Sequence, residues 1–352
     1  IILAVDTMRQ LETFSKKTHV PLGYFFLTSP PEEKLGIPEF RTLGDKGVSV
    51  ASAELLDTVR MMESRRDWLR EYKIEDGVER FSFVESVSKT ADTVEVAKQI
   101  RDALHLDIDW AQKRPTWKDA VLYLRDVIDS VGIVVVINGV VGNNTRRPLD
   151  VDEFRGFVLS DSHAPLIFVN GRDFLAAQMF TIAHELAHIW FGQSAAFDLF
   201  RLQPAENEIE VAANRVAAEF LVPEMTMRTI WPDIENHSEP FYEIARKFKV
   251  SPIVAARRAL DLSLISRDRF FEFYDAYGME EKSHRKKTGG GSFYRTQISR
   301  VGRTFAVEVG RAVKEGRLLY REAYSLTDIH GPTFSKYLKF IGQTPRRTEI
   351  EK

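Results

Sequence analysis

The stretch from residue 154 to residue 192 constrains the fold more than any other part of the sequence. Two strand-like runs, "FRGFVLS" and "PLIFVNG", are joined by the turn "DSHA", and the run "DFLAAQMFTIAHELAHIWFG" comes after them. Two such runs separated by a short polar turn predict a β-hairpin. The third run is strongly helical, with Gly192 as a natural C-cap. The sequence therefore predicts an α+β protein in which a small sheet precedes a long apolar helix.

Helical periodicity dominates on both sides of the predicted hairpin. A short amphipathic helix begins after Thr7, and the clearest helices before the hairpin are "AELLDTVRMMESRRDWLREY", "TVEVAKQIRDALHL" and "WKDAVLYLRDVIDSVG". The last of these leads into the β-branched run "IVVVING", which predicts another strand. Helices are expected from the hairpin onward to about Leu264. The sheet is thus predicted to lie between mainly helical flanking regions.

Charge and composition exclude several classes of protein. The 352 residues include 49 basic and 51 acidic ones, so any nucleic-acid or membrane partner must use a local patch. There is no cysteine, which excludes disulfides and thiolate metal ligands and suits a cytoplasmic protein. The longest apolar run, "VGIVVVINGVVG", is too short to cross a bilayer. The N-terminus does not resemble a signal peptide, and without an initiator Met the chain looks cut at its start.

The helical run "TIAHELAHIW" places two histidines and a glutamate in an arrangement suited to a metal. Residues four apart lie one turn above each other, so His184 and His188 can both direct an imidazole nitrogen at one ion. Glu185 lies beside them and can reach a water on that ion without being a ligand. An ion lowers the pKa of the water, and Glu185 can accept the proton and return it to a leaving amine. A helix that carries two histidines by chance is the bland alternative.

A catalytic zinc site needs a third protein ligand, and the sequence offers candidates downstream. The run "PAENEIEVAANRVAAEFLVPE" predicts a helix that starts near Pro204. Glu210 shares a face with small residues that would let this helix pack against the histidine helix, so Glu210 is the preferred ligand. Glu206, one turn earlier, is the alternative, whereas Glu208 points about 160° away on a helical wheel. A solvated surface acid is the ordinary alternative for each of them.

The quoted hairpin and helices together resemble the ImmA/IrrE family of zinc metallopeptidases. Its second motif, Glu-x-x-Ala-Asn leading into a small-residue helix, matches "EVAANRVAAEFLVP". The resemblance covers about residues 117 to 260 and implies a zincin-like core, His184, His188 and Glu210 as zinc ligands, and Glu185 as the base. The stretch "RQLETFSKKTHVPLGYFFL" also resembles the segment located after the DNA-binding helices of an XRE-type helix-turn-helix. DNA binding would thus depend on an N-terminal domain whose recognition helices are not visible here.

These observations predict four regions and two candidate functions. The regions are a helix-turn-helix remnant (1–35), a linker and helical region (36–115), a zincin-like metallopeptidase domain (116–275) and a basic helical C-terminal region (276–352). The preferred function is a cytoplasmic zinc endopeptidase that cuts a protein partner, which the resemblance implies is a transcriptional repressor of stress-response or mobile-element genes. The alternative is a transcriptional regulator or toxin-antitoxin component whose zinc site organises a protein-binding surface. Retention of Glu185 argues against it, because a structural zinc does not use a base there.

Two further segments are candidates for recognition. The strand "PLIFVN", with Leu166, Ile167, Phe168 and Val169, is predicted to be an edge strand that binds a substrate peptide by β-augmentation, although it can equally be a core strand. Between Lys282 and Arg321, eleven basic residues face two acids. This stretch could bind nucleic acid or an acidic partner, but a solvated helical face is the commoner explanation. His163, His237 and Tyr242 are weak candidates for stabilising an oxyanion.

Overall fold

A small mixed sheet between helices organises the computed structural model, which describes residues 7–18, 22–29, 51–197, 208–281 and 292–347. The strands are β1 Val134–Asn138, β2 Val140–Val141, β3 Asn144–Pro148, β4 Gly156–Leu159, β5 Leu166–Asn170 and β6 Ala195–Phe197. The helices are α1 Met8–Thr18, α2 Ala53–Glu75, α3 Thr93–Ala103, α4 Trp117–Ser130, α5 Leu175–Phe191, α6 Glu208–Leu221, α7 Glu224–Ile234, α8 Pro240–Phe248, α9 Pro252–Asp261, α10 Arg267–Glu281, α11 Phe293–Val301, α12 Arg303–Lys314, α13 Tyr320–Thr327 and α14 Pro332–Gln343. The predicted α+β class is confirmed.

The main sheet has the strand order β1, β5, β4, β6. Strands β4 and β5 form the predicted antiparallel hairpin, with Phe157 opposite Phe168, and β6 adds to β4 on its other side. Strand β1 pairs with β5 in parallel, and the chain forms β2, β3 and β4 between these two strands. The short strands β2 and β3 form a separate hairpin.

The central position of β5 makes the predicted peptide-binding role of residues 166–169 wrong. Strand β5 is paired with β1 on one side and β4 on the other, and all of its residues are buried. Its backbone hydrogen-bonding groups are therefore used within the sheet and are not open to a substrate. The continuous apolar sequence of β5 is the pattern of a strand covered on both faces, which periodicity alone does not distinguish from an edge.

The two faces of the sheet carry different layers of helices, because successive side chains of a strand point to opposite sides. We call the side shared by Val135, Val158, Ile167 and Val169 the metal-site face, since it packs in one apolar core with α5 and α6. We call the opposite side, which includes Val136 and Phe168, the C-terminal face. It packs in a second core with α2 and α11–α14. Residues that alternate along β1 and β5 thus belong to two separate cores.

Helix α5 lies along the metal-site face and is buried over most of its length. It ends at Gly192, whose φ of 72° is the left-handed conformation predicted for the C-cap. At its other end, the carboxylate of Asp173 accepts two hydrogen bonds from Arg155 Nη1, at 3.0 and 2.8 Å. This ion pair connects the residue before β4 to the start of α5. The helix that carries the two histidines is therefore fixed at both ends.

The C-terminal helices α11 and α12 pack against the sheet at β1. Buried Asp129, in the last turn of α4, accepts hydrogen bonds from the backbone N–H of Thr304 at 3.1 and 3.0 Å, and so caps the first turn of α12. Burial raises the pKa of Asp129, partly offset by these hydrogen bonds and by Arg346. Arg346 also lies 3.3 Å from this carboxylate. The residue limits of the four predicted regions remain predictions.

Candidate metal centre

Three side chains converge on one point at the junction of α5 and α6. The Nε2 atoms of His184 and His188 lie 2.9 Å apart, and each lies 3.1 Å from an oxygen of the Glu210 carboxylate. Both histidines are fully buried, and the Glu210 side chain is 16% exposed. Packing of α6 against α5 is close because Ala213 and Ala217 lie in the contact without exposed surface. The structure thus brings together the three residues predicted as ligands.

The geometry of this cluster fits a small divalent metal ion. Among the described residues, His184, His188 and Glu210 form a group whose possible ligand atoms all lie within 4.8 Å of one another. Ligands about 2.0–2.2 Å from a tetrahedral zinc would lie about 3.3 to 3.6 Å from one another. The observed separations of 2.9 and 3.1 Å need only a small outward rotation of the side chains. Two nitrogens and one carboxylate form a donor set that zinc accepts.

A second residue on α6 fixes the orientation of His184. Asn214 Oδ1 lies 3.1 Å from His184 Nδ1, and a carboxamide oxygen only accepts hydrogen bonds. The proton of the neutral imidazole therefore lies on Nδ1, which leaves the Nε2 lone pair directed at the cluster. The helical period places Asn214 on the same face as Glu210, but the sequence alone assigned it no role. Its position one turn after Glu210 was the available signal.

The protonation states at the cluster also suit a cation. Burial lowers the pKa of His184 and favours the neutral imidazole that a metal requires. Burial alone would raise the pKa of Glu210, but positive charge at His184 or His188 lowers it, and a cation held at the cluster would lower it in the same way. An ionised carboxylate beside a neutral imidazole is thus the expected state at neutral pH.

Glu185 is buried beside the cluster but is not part of its ligand set. Strand β4 comes close to it at Gly156, where an added Cβ would lie 3.5 Å from Glu185 Oε1. The same Cβ would meet Thr181 Cγ2 at 2.4 Å and the carbonyl oxygen of Phe168 at 2.8 Å. Only glycine permits this approach of strand to helix. A glycine inside a strand-like run was the signal in the sequence for this contact.

Strand β6 borders the site from the other side of β4. Its Phe197 pairs with Gly156, the residue that faces Glu185. Within the described ranges no strand pairs with the second edge of β6. The sheet edge nearest to Glu185 is therefore β6 and not β5.

The remaining sequence candidates lie elsewhere. Glu208 is exposed and forms an ion pair with Lys89 at 2.5 Å, which agrees with its predicted direction away from the cluster. Glu206 lies outside the described residues. His163 occupies the hairpin turn, at the opposite end of β4 from Gly156, and His237 is exposed and lies 2.9 Å from Glu243. Tyr242 packs edge-on against Phe273. None of these three is assigned to an oxyanion.

Comparison with known proteins identifies the domain that holds the cluster. Residues 128–260 match the model of the IrrE N-terminal-like domain, Peptidase_M78, and this range contains β1, α5 and α6. The match confirms the resemblance to the ImmA/IrrE family and supports a metallopeptidase-type function for this domain. Residues 301–340 match a second model, a domain of unknown function. No curated protein matches the chain.

The sequence also predicts that no apolar run is long enough to cross a membrane. Among the residues that the structure describes, no helix combines the length and the apolar character required to cross a bilayer.

Proposed function

We propose that the protein is a zinc-dependent endopeptidase that cleaves a protein partner. The observation that carries this proposal is the convergence of His184, His188 and Glu210 within about 3 Å, with Glu185 adjacent but outside the set. A purely structural zinc is usually enclosed by four protein ligands, whereas a catalytic zinc has three and an open position. When bound, the metal would supply Lewis acidity that lowers the pKa of a water and polarises the scissile carbonyl.

The chain's own residues would perform the proton transfers. Glu185 accepts the proton of the attacking water on its carboxylate and delivers it to the leaving amine. The close approach of β4 at Gly156 holds the Glu185 carboxylate in place and excludes bulk water on that side. Asn214 keeps the Nε2 atom of His184 directed at the metal position.

The edge of β6, which pairs with no second strand among the described residues, supports an endopeptidase over an exopeptidase. An extended segment of a partner could add to this edge through backbone hydrogen bonds and run past Glu185 in both directions. The ImmA/IrrE resemblance is what supports a transcriptional repressor as the partner, and a cytoplasmic location is proposed on the same ground.

The substitution Glu185→Gln tests the proposal. It removes the proton acceptor but keeps size and shape, so metal content and thermal stability should be unchanged while cleavage falls on the order of 10²-fold or more. The measurement is cleavage of the repressor encoded beside the gene, with casein as a general protein substrate, with and without chelator. Elemental analysis gives the metal content of each sample.

The variant His184→Ala is the matched comparison, because it should lose the metal as well as activity. Loss of metal from Glu185→Gln would instead make Glu185 a ligand. Cleavage by Glu185→Gln at the wild-type rate would refute the proposed mechanism. If the wild-type protein binds the repressor tightly and cuts no protein substrate, the metal site organises a binding surface instead.

A further inference from the structure

The last three helices form a compact unit on the C-terminal face. Helix α12 contacts both α13 and α14, and the three helices share apolar core residues. These are Phe305, Val309, Ala323, Leu326, Phe334 and Tyr337, all buried. The unit coincides with the segment that matches a domain of unknown function. Its position on the sheet face opposite α5 separates it from the metal cluster.

The connection between α13 and α14 is a tight turn of four residues. Helix α13 ends at Thr327 and α14 begins at Pro332. Asp328 and Gly331 within the turn have φ angles of 54° and 57°, which reverse the chain direction over a short distance. The rings of Tyr324 and Phe334 pack 5.6 Å apart across the two helices. A short helix, a tight turn and a longer helix, supported by a third helix, are the arrangement of a helix-turn-helix.

The outer face of α14 is polar and basic. Ser335, Lys336, Lys339 and Gln343 lie at three- and four-residue spacing and are exposed, whereas Phe334, Tyr337 and Ile341 on the opposite side are buried. The sequence of α14, "PTFSKYLKFIGQ", contains no acidic residue. The stripe therefore presents positive charge and short polar groups to solvent along the whole helix.

The lysines of this stripe differ from Arg311 and Arg317 in their ion pairing. Arg311 and Arg317 are in ion pairs with Asp76, and Arg317 also pairs with Glu75, so their charges are neutralised by α2 and the residue after it. In the part of the chain described here, Lys336 and Lys339 have no ion-pair partner. Residues 292–347 hold eleven Lys and Arg against four Asp and Glu. Lys336 and Lys339 thus give α14 two exposed cations without an ion-pair partner among the described residues, and Lys314 on α12 and Arg321 on α13 add two more.

The hairpin of β2 and β3 is held against the same turn. The Asn143 backbone N–H donates to Asp328 Oδ2 at 2.5 Å, and its side-chain amide donates to the Asp328 carbonyl at 2.7 Å. Arg146 on β3 of this hairpin is exposed. The turn is therefore braced by the peptidase domain.

We propose that α13 and α14 form a helix-turn-helix that binds duplex DNA, with α14 in the major groove. The major groove is about 12 Å wide and admits one α-helix. Lys336 and Lys339 would contact phosphates at the groove edge, while Ser335 and Gln343 face the base edges. An acidic protein would also attract these lysines, but a helix-turn-helix with a basic stripe on its second helix matches a duplex in shape as well as charge.

The test is binding of the full-length protein to a fluorescent mixed-sequence DNA duplex of about 30 base pairs, measured by anisotropy as a function of salt. The double substitution Lys336→Glu/Lys339→Glu should weaken binding at least about tenfold at low salt. It should also reduce the slope of log K against log salt by about 2, because each phosphate contact contributes about one unit.

The matched control is Lys98→Glu/Lys118→Glu, which makes the same charge change at exposed positions of α3 and α4. It should bind DNA nearly as the wild type does. The proposal is overturned if the wild-type protein does not bind the duplex, if both double variants lose affinity equally, or if polyglutamate or single-stranded RNA binds as tightly as the duplex and displaces it. Circular dichroism of each variant checks that the fold is retained.

Discussion

The two faces of the sheet bury polar groups in opposite ways. On the metal-site face, His184, His188 and Glu210 converge with nitrogen and oxygen atoms toward one another, an arrangement that calls for a cation. Where α12 of the C-terminal face meets the end of α4, the buried polar groups of Thr304 and Asp129 are paired as donor and acceptor. Burial of a polar group is costly unless it is hydrogen-bonded or coordinates a metal. The first face is therefore built for a ligand, and the second for attachment of helices.

A proline at position 168 should have the largest effect, because β5 belongs to both faces. Phe168→Pro removes a backbone N–H from an interior strand and a fully buried ring from the core. The cost should exceed about 3 kcal/mol. We expect insoluble or unfolded protein, measured by soluble yield and circular dichroism. Phe168→Leu, which keeps the backbone N–H and part of the apolar side chain, should cost less than Phe168→Pro and is the control. A folded Phe168→Pro protein with only a raised KM would restore the edge-strand hypothesis for β5.

A methyl group at position 156 should disturb the metal-site face alone. Gly156→Ala places a Cβ against Thr181 and the Phe168 carbonyl, which should cost about 1–3 kcal/mol and displace β4 from Glu185. The melting temperature and the cleavage rate should both fall, while metal content stays near that of the wild type. Gly342→Ala, where a Cβ meets nothing within 4 Å, should leave melting unchanged or raise it. Equal melting temperatures for both variants would mean that β4 and α5 are not closely packed.

Removal of the Asp129 carboxylate should disturb the contact of α12 with α4 and have the smallest effect. Asp129→Ala uncaps α12 and leaves Thr304 without its buried acceptor, which should cost about 0.5–2 kcal/mol. Metal content and cleavage should not change. The control is Asp119→Ala on the same helix, whose partly exposed ion pair with Arg347 should contribute less than about 1 kcal/mol. Calorimetry measures the free energy of unfolding of both variants. A larger destabilisation in Asp119→Ala than in Asp129→Ala would contradict the capping role of Asp129.

Local sequence determined the elements that carry the site. The spacing of His184 and His188 needs only an α-helix to bring both rings to one side, and Gly192 ends that helix as predicted. The hairpin of β4 and β5 was predictable from two apolar runs and a polar turn. The selection of Glu210 over Glu208 came from the helical period, which the ion pair of Glu208 with Lys89 supports. Each of these conclusions depends on local patterns within a single helix or hairpin.

Only the tertiary structure decided the order of the strands and the role of the residues that join distant segments. A buried interior strand and an apolar edge strand have the same sequence pattern, so β5 could be placed only when its pairing with β1 was known. Gly156 beside Glu185, Asn214 beside His184 and Asp129 at the start of α12 are contacts between residues 29 to 175 positions apart. The sequence specifies the groups available for such contacts, but their partners are fixed only when helices and strands pack, because packing depends on the shape of the whole core.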